Sequence, residues 1–240
     1  MKRYYLFFLI VITIALNVRA QSAKEDLDRV NKTYQALSSY TAILEYAAYQ
    51  SYTSKESVQI EKGEVKMKGS SFYHKIGSIE VIRNKEYVLT VDHDEKSITK
   101  LDAVKESNGM PFMNVDLEKV LKLCTSSKYY EPAKGSAGYS LVFPSTEYSS
   151  VKIEFNKKTN MIEKMILFYL SPSDLSGKGE EMAEKPRMEI SFKNIVLNKD
   201  IPSSVFTYEK FIISLGSNKY MCTQGYKNYS FNNQTSTNPY

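Results

Sequence analysis

The sequence predicts a mostly β protein of the α+β class: a strongly curved antiparallel sheet with both of its helices on the concave face. Three observations lead there. Apolar and polar residues alternate at the period of a strand in segment after segment from Tyr40 to Phe192. Only two stretches carry helical spacing. The strands fall into two runs, each preceded by a helix, without the strand–helix–strand rhythm of a parallel sheet.

Residues 1–20 predict a cleavable secretory signal. Lys2 and Arg3 precede thirteen uncharged, mostly apolar residues, Tyr4 to Leu16. Val18-Arg19-Ala20 then places small residues where a signal peptidase reads, so cleavage is expected before Gln21. A membrane-spanning helix needs about 20 apolar residues, more than this run holds. No cysteine follows it, so the chain is not expected to be a lipoprotein itself. Removing residues 1–20 takes away Lys2, Arg3 and Arg19, leaving 29 basic against 27 acidic residues and a net charge of +2. The charges alternate instead of clustering, which argues against a nucleic-acid partner. A chain of this size can bury about 70% of its extended surface in one core.

Ser22-Ala23-Lys24-Glu25 fits a capping box at a helix start. Leu27, Val30, Tyr34 and Leu37 then form one apolar stripe, which should lie on an apolar surface. After Ser39 the period becomes two. Tyr40 begins a long strand, and Val58 to Lys68 gives a second with Val65 and Met67 on one side. Phe72 to Ile76, Ile79 to Ile82, Tyr87 to Val91 and Ser97 to Leu101 follow, the last two joined by a turn at 92–96. Residues 102–113 read as a loop. Asn114 or Asp116 caps a second helix with Leu117, Val120, Leu121 and Cys124 on its apolar side. Tyr139 to Phe143, Val151 to Phe155, Met161 to Leu170 and Met188 to Phe192 are the second run of strands. Residues 171–187 form an exposed loop longer than a hairpin needs. The end, from Thr223, is rich in Asn, Ser, Thr and Tyr, has little to bury, and is expected to be partly disordered.

Little in the sequence supports catalysis, and no catalytic residue, cofactor or metal is expected. The two histidines are His74 and His93. His93 stands in Asp92-His93-Asp94, but zinc needs three or four convergent ligands, and adjacent residues of a strand or tight turn point apart. A solvated turn is the expectation there. His74 lacks an accompanying nucleophile motif and reads as structural. No glycine loop of the phosphate-binding kind is present. Cys124 and Cys222 either pair, closing a loop worth about 4.7 kcal/mol in the chain-entropy treatment, or are two unrelated buried thiols. Three Asn-x-Ser/Thr sequons begin at Asn31, Asn228 and Asn233 and matter only in a eukaryotic host.

The inward face of the sheet carries more information. Its candidate residues are Leu44, Tyr46, Val65, Met67, Val81, Leu89, Val91, Ile153, Phe155, Ile190 and Phe192. Methionines such as Met67, Met113, Met161 and Met165 suit an adaptable lining. Alternation marks burial and not vacancy, so a filled core and an apolar pocket are both open on this pattern.

Several motifs resemble the periplasmic lipoprotein carriers of the LolA type and their LolB and RseB-like relatives. Leu37-Ser38-Ser39-Tyr40-Thr41-Ala42 is similar to an "L-x-S-x-x-A" start of the first strand. Gly63-Glu64-Val65-Lys66-Met67-Lys68 is similar to "G-x-L-x-h-K" (h apolar), with Phe72-Tyr73 after it. Glu80 to Asp92, Met110-Pro111-Phe112-Met113, Ile190-Ser191-Phe192-Lys193-Asn194, Ile201-Pro202 and Val205-Phe206 follow in the family's order. The resemblance implies a carrier domain over 21–208, with 209–240 a C-terminal extension. It implies an unclosed β-barrel, or half-barrel, whose cavity holds the acyl chains of lipoproteins. The cavity would be lined by the inward residues and closed by a lid of Phe112, Met113, Leu117, Val120 and Leu121. It further implies a monomer in the periplasm that binds acylated lipoproteins or lipids, loaded by an inner-membrane release complex and relieved by an outer-membrane acceptor. Departures are specific. Lys68-Gly69-Ser70 stands where the family has "K-R-P", Asn84-Lys85-Glu86 replaces a "D-G-K" turn, and the 171–187 loop and the tail are extra. A protein-interaction module on the same fold with a filled core, an envelope sensor or secretion accessory, is the alternative expectation.

Overall fold

The computed structural model describes residues 23–103, 121–144, 147–177, 179, 183–216 and 218–235. The signal-like residues 1–20, the cap at Ser22 and the lid residues Phe112, Met113, Leu117 and Val120 lie outside them. Among the described residues the chain is mostly β. One long helix, α1 (Ala23–Gln35), precedes fourteen strands. The first six are β1 (Ser39–Tyr49), β2 (Gln59–Lys68), β3 (Ser71–Ile76), β4 (Ile79–Arg83), β5 (Tyr87–Asp92) and β6 (Ser97–Asp102). Then come β7 (Ser126–Tyr130), β8 (Ser136–Val142), β9 (Tyr148–Asn156), β10 (Ile162–Tyr169) and β11 (Arg187–Leu197). A C-terminal group follows: β12 (Ile212–Gly216), β13 (Lys219–Cys222) and β14 (Ser230–Asn233).

Twelve strands form one large curved sheet in the order β14-β6-β5-β4-β3-β2-β1-β11-β10-β9-β8-β7. The order is linear, so the sheet is unclosed. Its ladders are antiparallel except the outermost, where β14 joins β6 in parallel. β12 and β13 make a separate hairpin. Two long ladders hold the middle, because β1 is flanked by β2 on one side and β11 on the other.

The helix forms for the reason its spacing gives. Leu27, Val30 and Tyr34 lie on one stripe and are buried, while Glu25 sits in the first turn, where the helix dipole favours a negative charge. Fully burying Leu27 and Val30 contributes about 1.5–3 kcal/mol each. Their partners are Tyr40, Ala42 and Leu44 of β1, Val65 and Met67 of β2, and inward residues of β8 to β11. Of the second expected helix, residues 121–123 are described. They are helical, and Leu121 packs on this same core.

Register shows that the sheet is used on both faces. Val65 pairs with His74, His74 with Val81, Val81 with Thr90 and Thr90 with Thr99. Directly opposed residues share a face, so this row lies on the α1 face. The neighbouring row, Lys66, Tyr73, Ile82, Leu89 and Lys100, lies on the other. There Tyr73, Ile82, Tyr87, Leu89, Val91 and Ile98 meet Ile201, Phe206, Phe211 and Ile212 in a second core. That core corrects the expectation that the end from Thr223 has little to bury. Tyr226, Tyr229 and Phe231 pack against the core in which Phe211 and Ile212 are fully buried, and β14 extends the main sheet.

Candidate functional site

The α1 face divides into a closed part and a half-covered part. Beneath the helix, Leu44, Val65, Met67, Ile153, Phe155 and Phe192 are buried together with Met161 and Met165. Tyr34 and Tyr40 meet edge to face at 5.4 Å, and burial pushes the Tyr34 hydroxyl up to about 12. This part is ordinary close-packed core. Tyr46 and Ile190 stand at its border, half-buried. Beyond them the same face runs onto His74 and Ile76 of β3, Ile79 and Val81 of β4, and Val88 and Thr90 of β5, all half-buried.

At the border Tyr46 Oη and His74 Nε2 are 2.9 Å apart. Burial lowers the His74 pKa, so its ring is uncharged at neutral pH. Burial also pushes Tyr46 up to about 12. The wall therefore carries an uncharged polar pair among mostly apolar side chains, with the half-buried Glu61 beside it, opposite Tyr46 in the β1–β2 ladder. The Tyr46–His74 pair can hydrogen-bond an ester or amide oxygen.

The predicted lining is not brought together as one surface. Val81 is on the α1 face with the first group. Leu89 and Val91 are on the opposite face, in the second core, which corrects their assignment. The reason is register: Leu89 is paired with Ile82, and Ile82 with Tyr73, so these residues cannot face the row that holds Val65 and Val81.

A cavity of about 290 Å³ lies at the far end of α1, between Asp26, Arg29, Tyr129, Glu131, Phe155 and Lys157. Asp26 pairs with Arg29 and accepts a hydrogen bond from Tyr139 at 2.7 Å, and Glu131 pairs with Lys157 at 2.6 Å. With two ion pairs in its wall, it does not match an acyl chain.

His93 corrects the expectation of a solvated turn. Its Nε2 lies 2.9 Å from Glu80 Oε1, and its Nδ1 lies 2.9 Å from the Tyr229 hydroxyl. Glu80 is only 2% exposed and also meets Tyr73 at 3.1 Å and Lys75 and Lys210 at 3.3 Å. Burial alone would raise its pKa, but the His93 hydrogen bond, the two lysines and Tyr73 together hold it below the usual carboxylate range. Through Lys210 and Tyr229 this network ties the C-terminal segment to β4. A signal for it existed in the sequence. Glu80 is two residues from Ile82 and shares its inward side, and a carboxylate in such a position needs partners. Among the described residues no three His, Cys, Asp or Glu side chains group as metal ligands.

Both cysteines are free and half-buried. Cys124 packs against the α1 core and donates to the Ser126 carbonyl at 2.8 Å. Cys222 packs against the second core and donates to the Tyr229 carbonyl at 3.4 Å, and burial raises its pKa. The sheet stands between those cores.

Comparison with solved structures gives similarities at low identity. The chain is similar to an uncharacterized conserved protein of Thermus thermophilus, at 13% identity and a TM-score of 0.49 over 79% of this chain and 96% of that one. It is similar to a LolA superfamily protein of Nitrosomonas europaea. That similarity has 10% identity and a TM-score of 0.36 and covers 78% of this chain and 98% of the other. The Mycobacterium tuberculosis lipoprotein LppX is similar at 7% identity and a TM-score of 0.44, over 74% of this chain and 96% of its own. No family model and no curated protein matches the chain.

Proposed function

We propose that the protein is a periplasmic carrier that shields the acyl chains of lipoproteins or lipids on the half-covered part of its α1 face. The observation that carries this reading is the contrast between the two faces. The second core is filled by the chain's own C-terminal segment, whereas the wall from Tyr46 and Ile190 to Val81 is mostly apolar and half-buried, with Glu61 at its border. The signal-like residues 1–20 and the ordered LolA-type motifs support the compartment and the cargo class. Physical need supports the rest. Each CH₂ moved into water costs about 0.8 kcal/mol, so a long acyl chain costs on the order of 10 kcal/mol to expose. A carrier lowers that barrier, and a partly open wall also lets the chain leave. The Tyr46–His74 pair would receive the ester or amide oxygens at the head of the chain. The carrier acts as a monomer between an inner-membrane release complex and an outer-membrane acceptor.

Lipids that co-purify with the protein, identified by mass spectrometry, test the reading. Acylated species are expected with the unaltered chain and should be lost in Val81→Asp, with near-ultraviolet circular dichroism unchanged. Undiminished acyl binding in the folded variant would count against this wall. Leu89 is no test of it, because its side chain belongs to the other face.

A second reading has its own observation. Leu44, Val65 and Phe155 are sealed by α1, which suits a protein-interaction module that needs no cavity. Its working surface would be the 171–187 loop. Deleting that loop would then abolish partner capture while co-purified lipid stays absent.

A further inference from the structure

We infer that the β12–β13 hairpin is a membrane-contact element that docks on a bilayer surface with anionic headgroups. The hairpin has two unlike sides. Ile212 is buried, and Tyr220 and Cys222 pack into the second core. On the other side Ile213, Leu215 and Met221 are 47%, 60% and 50% exposed. Ile213 and Met221 face each other across the ladder, and Leu215 is two residues further along β12, at the irregularity before the turn. Large exposed apolar side chains scattered singly are ordinary, but three gathered on two short strands form a patch that calls for a partner. Fraying does not account for the exposure. Phe211 and Ile212 at the base are fully buried, and the Thr223 amide donates to the Phe211 carbonyl at 2.9 Å, closing the hairpin.

Charge selects the partner. From Lys210 to Tyr240 the chain has Lys210, Lys219 and Lys227 and no acidic residue. Lys210 is engaged with Glu80. Lys219, beside the turn and paired with Gly216, and Lys227 are exposed, and neither forms an ion pair with a described carboxylate. Apolar side chains flanked by exposed cations fit the boundary between acyl chains and anionic headgroups. A second copy of the chain fits less well, because a two-fold contact through this hairpin would gather the lysines of both copies with no acidic residue from the 210–240 segment to meet them. The inference stands apart from the acyl-carrier reading, since it concerns the outer side of a hairpin on the other core.

The test uses a natural advantage: the chain has no tryptophan. Leu215→Trp therefore places a single reporter at the patch. With vesicles of phosphatidylglycerol and phosphatidylcholine, a blue shift and co-sedimentation are expected, with much weaker binding to phosphatidylcholine alone and at high salt. An Ile213→Asp, Met221→Asp double variant should bind on the order of tenfold more weakly or worse. Lys219→Ala should lose about fivefold, a single basic residue's share at an anionic surface. Unchanged circular dichroism is the required check that both variants stay folded. No shift with either vesicle, equal binding to phosphatidylcholine alone, or self-association that the double variant abolishes would each overturn the inference. Both phospholipids carry acyl chains that the carrier wall could also take, so Val81→Asp, which empties that wall, is the control: vesicle binding unchanged in this variant is expected, and binding lost with it would overturn the inference.

Discussion

Phe72 and Tyr73 are neighbours in β3, yet they belong to different cores. Phe72 packs under α1 with Met67, and Tyr73 points the other way, into the core built with Phe206 and Phe211. The strands on either side of this crossing bury opposite faces of one sheet. Around β1, β2 and β8 to β11 the cover is a regular helix with an apolar stripe. Around β4, β5 and β6 it is an irregular C-terminal segment with aromatic anchors, held by the Glu80 network. The sheet itself changes little along this line; what covers it decides which face is core. The half-covered counterpart of the second core, on the α1 face of β3 to β5, is the proposed binding wall.

Breaking the C-terminal cover should have the largest effect. Phe211→Ala is expected to cost about 3–5 kcal/mol, read by urea denaturation. A loss confined to a separate early transition, with the main one unmoved, would make the second core a mere appendage. Leu27→Ala, on the helical side, should cost about 2–5 kcal/mol through the same single transition. Comparable losses from the two sides are what a sheet stabilised on both faces requires.

The Glu80 network gives a smaller, pH-dependent difference. Its folded pKa is lowered relative to the unfolded value, so its contribution is present above the unfolded carboxylate range and is lost as pH falls through the folded pKa. Glu80→Gln should cost about 1–3 kcal/mol at neutral pH and flatten the acid side of the stability profile. An unchanged acid limb would detach Glu80 from the C-terminal anchor. Smallest of all, Val81→Ala should cost less than about 1 kcal/mol, because Val81 is half-buried and supports no core. A cost as large as that of Leu27→Ala would mean the wall is already filled.

Much of this was legible in the sequence. The stripe Leu27, Val30, Tyr34 predicts α1 and its buried side, and alternation predicts most strands. β7 was not legible, since Ser126-Ser127-Lys128-Tyr129-Tyr130 has no apolar alternation and is mostly exposed. The faces were less legible than the strands. Alternation says that Leu89 and Val91 share a side, but only pairing to β4 says which side. In β4 both Val81 and Ile82 are apolar, so the pattern there names no inward face. The tail misled because its buried residues are aromatics at irregular spacing, Tyr226, Tyr229 and Phe231, within a polar composition that reads as disorder. The Tyr46–His74 pair joins residues far apart in the chain and could not be seen before β1, β2 and β3 were placed side by side.

Photo-crosslinking with a diazirine-bearing fatty acid, followed by peptide mapping, tests the two-sided account most directly. Labels are predicted on the β3 and β4 peptides that carry His74, Ile76 and Val81 and on Tyr46 of β1. Labels concentrated on Leu89, Val91 or Phe211, or none above background at any position, would contradict it.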